Sequence, residues 1–136
     1  MIVDTSALVA VLVREPGHEP LLAALLEDPA ILPAPARLEF LTVARGERFG
    51  LGAQAEALLD RLGLLGLETL AWTADHAAVA AAAQIVHGKG NGRGGTLNLL
   101  DLMVYAVAIS RGEPLLFTGR DFVATEVQIH PASRTT

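Results

Sequence analysis

The chain has 136 residues, 51% of them hydrophobic and 18% charged, which suits one folded domain over 1–136 with a sizeable core and excludes a disordered polymer. It has no cysteine, so disulfides, thiolate zinc sites and cysteine nucleophiles are excluded. A net charge of −5 argues against nucleic-acid binding, where a basic surface is expected, unless bound metal offsets a cluster of carboxylates.

In chain order, Met1 to Asp4 reads as a short apolar strand ending in an acid. A helix from Ser6 to Arg14 follows, capped by Thr5 or Ser6 and broken by Pro16 and Gly17. His18 to Glu27 reads as a second helix with Leu21, Leu22, Leu25 and Leu26 on one side. Ala30 to Leu32 reads as a strand, and Pro33 and Pro35 predict an extended link. Ala36 to Arg48 is then helical, with Leu38 and Leu41 at helical spacing. Gly50 and Gly52 precede a helix over 53–62, Leu67 to Trp72 alternates as a strand, and Thr73 caps an alanine-rich helix from Ala74 to His87. Residues 88–95 carry five glycines with Lys89 and Arg93 and predict a mobile loop. Asn98 caps the very apolar helix Leu99 to Arg111. Leu115 to Phe117 is a buried strand, Thr118 to Phe122 a turn, and Val127 to His130 a last strand. Short strands alternating with helices predict an α/β fold built on a mostly parallel sheet. The N-terminus lacks the pattern of a signal peptide, and the longest apolar run, Leu99 to Ser110, is too short to span a bilayer, so the expectation is a cytoplasmic protein with no membrane partner.

Four acids stand at the ends of apolar elements. Asp4 closes the first strand and Asp121 follows the strand at Leu115, positions that in an open α/β sheet face the ligand edge. Glu39 and Asp101 lie early in helices whose N-termini can face the same edge. Taken singly, each has an ordinary explanation, as a helix cap, a partner of the helix dipole or a turn residue. Their apolar neighbours, Leu38 and Phe40 around Glu39, and Leu100 and Leu102 beside Asp101, make an isolated carboxylate costly. Four converging carboxylates without cations would repel one another, and a divalent ion resolves that conflict; all-oxygen ligands favour Mg²⁺ or Mn²⁺.

Four segments in order, Met1-Ile-Val-Asp4-Thr-Ser-Ala7, Arg37-Leu-Glu39-Phe-Leu41, Leu97-Asn-Leu-Leu-Asp101 to Ala106, and Leu115-Leu-Phe-Thr-Gly-Arg-Asp121-Phe, resemble a PIN domain of the VapC type, the toxin half of toxin–antitoxin pairs. The resemblance implies a PIN-like three-layer α/β/α domain. It also implies a ribonuclease that hydrolyses phosphodiester bonds with Mg²⁺ or Mn²⁺ held by Asp4, Glu39, Asp101 and Asp121. Ser6 or Thr5 resembles the hydroxyl that supports such a metal site, and the Lys89 to Gly95 loop resembles a basic segment near the RNA path, with Lys89 and Arg93 as phosphate contacts. Arg120 replaces an acid or amide common in relatives, which questions a second metal and offers another phosphate contact. Glu126 resembles a further acidic position. The family usually cuts transfer or ribosomal RNA and pairs with a VapB-like antitoxin as a homodimer. Leu21, Leu22, Leu25, Leu26, Leu58 and Leu62 are contact surfaces or ordinary core. The competing expectation is a non-catalytic PIN-like protein-interaction module.

Overall fold

The computed structural model describes residues 1–136. Its elements are β1 (Ile2–Val3), α1 (Thr5–Leu12), α2 (Glu19–Glu27), β2 (Ile31–Pro33), α3 (Ala34–Arg45), α4 (Gly52–Leu64), β3 (Glu68–Leu70), α5 (Ala74–His87), α6 (Leu99–Arg111) and β4 (Leu115–Leu116). The strands are parallel in the order β3–β2–β1–β4, and the six helices flank them as an α/β/α domain. Ile2 pairs with Ile31 on one side and with Leu115 on the other. The side chains of Ile2, Val3, Leu115 and Leu116 have no solvent exposure, as central parallel strands covered on both faces require. At the β3 edge Glu68 and Thr69 are exposed, and the Leu67 to Trp72 run shortens to three residues.

Helix ends were set by caps where the sequence supplies them. The Thr73–His76 and Asn98–Asp101 pairs form reciprocal capping boxes, and α5 and α6 have the expected bounds. Elsewhere the expectations shift. Pro35 lies in the first turn of α3, where a missing N–H costs no intrahelical bond, so the Pro33–Pro35 stretch passes directly into helix. The core face of α3 is Ala36, Phe40 and Ala44, and Leu38 points outward at 66% exposure; the buried stripe is therefore not the leucine one. α1 ends at Leu12, short of Arg14, whose φ of 53° lies in the left-handed region.

Val127 to His130 does not form a regular strand. Only Ile129 bridges to Leu115, and a turn at His130 to Ser133, containing Pro131, interrupts the ladder before Thr118 bridges to Arg134. The tail nevertheless runs beside β4: Leu115 N–H donates to the Gln128 carbonyl, Arg134 N–H to Phe117, and Gly119 N–H to Arg134.

The glycine-rich segment is pinned rather than left as a bare linker. Asn91 donates to the Ile85 carbonyl and accepts from the amides of Arg93 and Gly95. Gly88 bridges to Leu97. A Cβ on Gly95 would lie 2.3 Å from the Gly88 carbonyl oxygen, so close backbone approach fixes glycine there. No helix is long and apolar enough to cross a membrane.

Candidate active site

The sheet order reverses between β1 and β4, and ligands of open α/β sheets bind outside the carboxyl ends of strands at such a reversal. Asp4 leaves β1 there and the Thr118–Asp121 turn leaves β4 beside it. α3 and α6 bring Glu39 and Asp101 to the same place. Asp4, Glu39, Asp101 and Asp121 line one open cleft of about 290 Å³ together with Thr5, Ser6, Glu15, Thr118 and Phe122.

Asp4 is the deepest of the four, 6% exposed. Its Oδ2 accepts from the Ser6 amide at 3.0 Å, capping α1, and from the Ser6 hydroxyl at 2.5 Å. The Ser6 oxygen in turn accepts from the Thr118 amide at 3.0 Å. One hydroxyl thus ties the end of β1 to the exit of β4. Thr5 is buried and donates to the Ala36 carbonyl, locking α1 to α3. Asp101 is half-buried, and its Oδ2 accepts from the Asn98 amide at 3.1 Å. Glu39 is half-buried and Asp121 exposed. The Asp121 carbonyl accepts from the Thr96 hydroxyl, so the turn is held against the far end of the glycine-rich segment.

Burial pushes the Asp4 carboxyl up to about 6, against the hydrogen bonds from Ser6, and the negative charge of Glu39 adds to the rise. Burial also pushes Asp101 up to about 7, with further upward pressure from Asp4, Asp121 and Glu39 and relief only from the Asn98 amide. The acids are coupled through space, and no arginine or lysine lines their cleft. Hard oxygen donors with uncompensated negative charge fit a small divalent cation. No three of the acids are gathered into a closed coordination shell.

The other expected residues fall outside the cleft. Lys89 and Arg93 are exposed on the glycine-rich segment and do not line it. Arg120 is exposed on the Asp121 turn and donates to the Thr135 carbonyl at 3.2 Å. Glu126 turns away, accepting from the Tyr105 hydroxyl and meeting His87 Nε2, both at 2.7 Å. That carboxylate braces α5 and α6 against the segment after Asp121, and the two partners hold it below the usual carboxylate range. Sequence reasoning missed Glu15, a fifth acid in the cleft wall, because it lies in a turn with no apolar periodicity around it.

A sheet reversal lined by carboxylates from β1, α3, α6 and the turn after β4 defines an acidic class of site. The PIN domain family model matches residues 1–127. The chain is 40% identical to Ribonuclease VapC42 of Mycobacterium tuberculosis over 130 residues, 94% of this chain and 97% of that one. It is 38% identical to Ribonuclease VapC36 of the same organism over 131 residues, 94% and 91% of the two chains. The crystal structure of Mycobacterium tuberculosis VapC20, a Sarcin-Ricin loop cleaving toxin, shares the fold with a TM-score of 0.69 at 20% identity, over 93% of this chain and 95% of that one. The chain belongs to the PIN domain family and, within it, to the VapC ribonucleases.

Proposed function

We propose that this chain is a single-domain, divalent-metal-dependent endoribonuclease, the toxin of a toxin–antitoxin pair. Asp4, Glu39, Asp101 and Asp121 are its metal ligands and catalytic residues. The observation that carries this reading is the convergence of these acids on one cleft without a balancing cationic side chain. Mg²⁺ or Mn²⁺ bound there would supply charge neutralisation and Lewis acidity to phosphodiester hydrolysis. Asp4 is fixed by Ser6 and Asp101 by its capping bond, so two oxygen donors are oriented before any ligand arrives. Asp121, the most exposed of the four acids, faces the side of the cleft open to substrate. Water adds to phosphorus as the bond to the leaving ribose oxygen breaks; a carboxylate of the cleft takes the water proton, and the leaving oxygen takes a proton from solvent. The 2′-hydroxyl is not needed as nucleophile.

Transfer or ribosomal RNA is the proposed substrate class, by analogy with VapC20. The solved complex of VapBC from Salmonella typhimurium bound to DNA, which has the same fold (TM-score 0.65, 16% identity, covering 99% of this chain and 95% of that chain), supports a VapB-like antitoxin as partner. Leu22, Leu26 and Leu58 line a groove between α1, α2 and α4 that suits an apolar antitoxin segment, with the buried Leu62 at its floor, whereas Leu21 and Leu25 belong to the core alone. Leu38 and Leu99, exposed on α3 and α6, suit a homodimer contact. The cytoplasm, where such RNA is met, is the compartment proposed for the protein. The deciding experiment is cleavage-site mapping on total cellular RNA with Mg²⁺, Mn²⁺ or chelator, with light scattering of the chain alone and with its antitoxin. Cleavage that persists in chelator would overturn the metal dependence, and no cleavage with either metal would overturn the ribonuclease reading and favour a protein-interaction module.

A further inference from the structure

The family match ends at residue 127, yet the chain beyond it forms part of the surroundings of the cleft. The tail returns along β4, and the backbone of Arg134 bonds to Phe117 and Gly119, the residues that lead to Asp121. The Arg134 side chain then crosses to the turn after α1. Nη2 donates to Glu15 Oε2 at 3.1 Å, and Nη1 donates to the Pro16 carbonyl. Glu15 is itself a wall of the acidic cleft. At Gly17, where φ is +85°, a Cβ would come within 3.0 Å of the Arg134 side chain, so the turn is shaped around it. Arg134 keeps 31% of its side chain exposed and Glu15 keeps 39%.

An acidic cleft that receives a phosphodiester needs positive charge at its rim as well as metal within. Arg45 and Arg111 are committed to Glu56 and Glu113 away from the cleft. Arg134 is the cation bonded to a side chain of the cleft wall, and its guanidinium presents several parallel donors, a geometry that matches phosphate as well as carboxylate. Glu15 occupies that fork from a position where its carboxylate can swing into water. The Pro16 carbonyl keeps the guanidinium seated when it does.

We propose that Arg134 is a substrate-positioning residue that takes a phosphate of the incoming RNA in exchange for Glu15. The inference rests on the ribonuclease reading and adds to it a contact from outside the matched family segment. Glu15 acts as a placeholder, masking the guanidinium until a phosphate displaces it.

The test is cleavage kinetics of a fluorescent single-stranded RNA by the full chain with Mg²⁺ across a KCl series, alongside thermal unfolding. Arg134→Gln should raise KM on the order of tenfold at low salt, the loss of one charge-assisted contact, with a smaller fall in kcat. The slope of log KM against log salt should flatten by about 0.7, the value for one phosphate of a single strand. Arg134→Lys should restore most of that slope. Glu15→Gln should lower KM, because it unmasks Arg134 and removes a charge that repels phosphate. Both Arg134→Gln and Glu15→Gln break the same ion pair, so both should melt below the wild type. A purely structural clasp moves KM the same way in both variants; the proposed exchange moves it in opposite directions. Wild-type KM and salt slope in Arg134→Gln, or a raised KM in Glu15→Gln, would overturn the proposal. A wild-type chain that cuts no RNA with either metal would overturn the ribonuclease reading before any variant is made.

Discussion

Asp4→Asn separates the cost of the carboxylate cluster from its use. The substitution keeps shape and leaves an oxygen to accept from the Ser6 amide and hydroxyl, so the α1 cap survives. What it removes is a negative charge that folding disfavours, since burial raises Asp4 from 3.8 to about 6. That displacement corresponds to roughly 3 kcal/mol. The sign follows from linkage: with the folded-state pKa above the unfolded one, the ionised group opposes folding fully above about pH 6, and the opposition disappears as pH falls below 3.8. In chelator at pH 8, Asp4→Asn should therefore be more stable than the wild type. At about 3–5 °C per kcal/mol for a domain of this size, the gain in Tm is on the order of 10 °C. The gap should close as the pH approaches 4. Mg²⁺ should raise the wild-type Tm and leave the variant's almost unchanged, and RNA cleavage should drop at least ~100-fold, about 3 kcal/mol of transition-state stabilisation. The assays are differential scanning calorimetry at pH 8, 6 and 4 with and without metal, and a fluorogenic RNA. A variant less stable than the wild type in chelator at pH 8, or a gap that does not narrow with acid, would refute the electrostatic reasoning even if activity were lost.

Asp101→Asn should behave alike with a window shifted upward, its advantage in chelator fading between about pH 7 and 3.8, and should also abolish cleavage; calorimetry and the same RNA assay check both. The gain should be smaller than the shift suggests, because solvent screens this half-buried group. Gly95→Ala forces a Cβ to within 2.3 Å of a backbone oxygen and should destabilise the protein by about 2 kcal/mol or more, whereas Gly92→Ala meets no atom and should cost about 1 kcal/mol through its positive φ alone; urea melts distinguish them. Glu126→Gln should lower stability by about 1 kcal/mol through its weakened bonds to Tyr105 and His87 while metal affinity, read by calorimetric titration, stays at the wild-type value.

The parts of the fold legible in the sequence are those where local and tertiary preferences agree. Thr73 and Asn98 begin helices that end at His87 and Arg111 because cap and apolar content coincide. The acids were legible for a related reason: Asp4, Glu39 and Asp101 each interrupt an apolar neighbourhood that would otherwise exclude charge. α3 misled because its core face is Ala36, Phe40 and Ala44, and small residues carry little periodic signal although they let helices approach closely. The tail was read as a strand from Val127 to His130, but its pairing with β4 is interrupted and resumes at Arg134, a long-range arrangement that no local pattern encodes. Glu15 reaches the cleft only because Arg14 adopts φ 53° and turns the chain. The glycine count of residues 88–95 marked an irregular segment, but no local pattern told that Asn91 would bond it to the end of α5.

The neighbour relation of β1 and β4 has a consequence for synthesis. Ile2 pairs with Leu115, so Asp4 waits for Asp121 until the long stretch of chain between them has been translated. Until then the central strand lacks one neighbour and the cleft lacks one wall. Contacts of such sequence separation form late in folding. A nascent fragment ending before Thr118 should remain unfolded and unable to cut, which a protease-sensitivity and RNA assay on the truncated chain would reveal. Assembly from segments so far apart in sequence thus keeps an RNA-cutting enzyme inert while it is still tethered to the RNA machine that makes it.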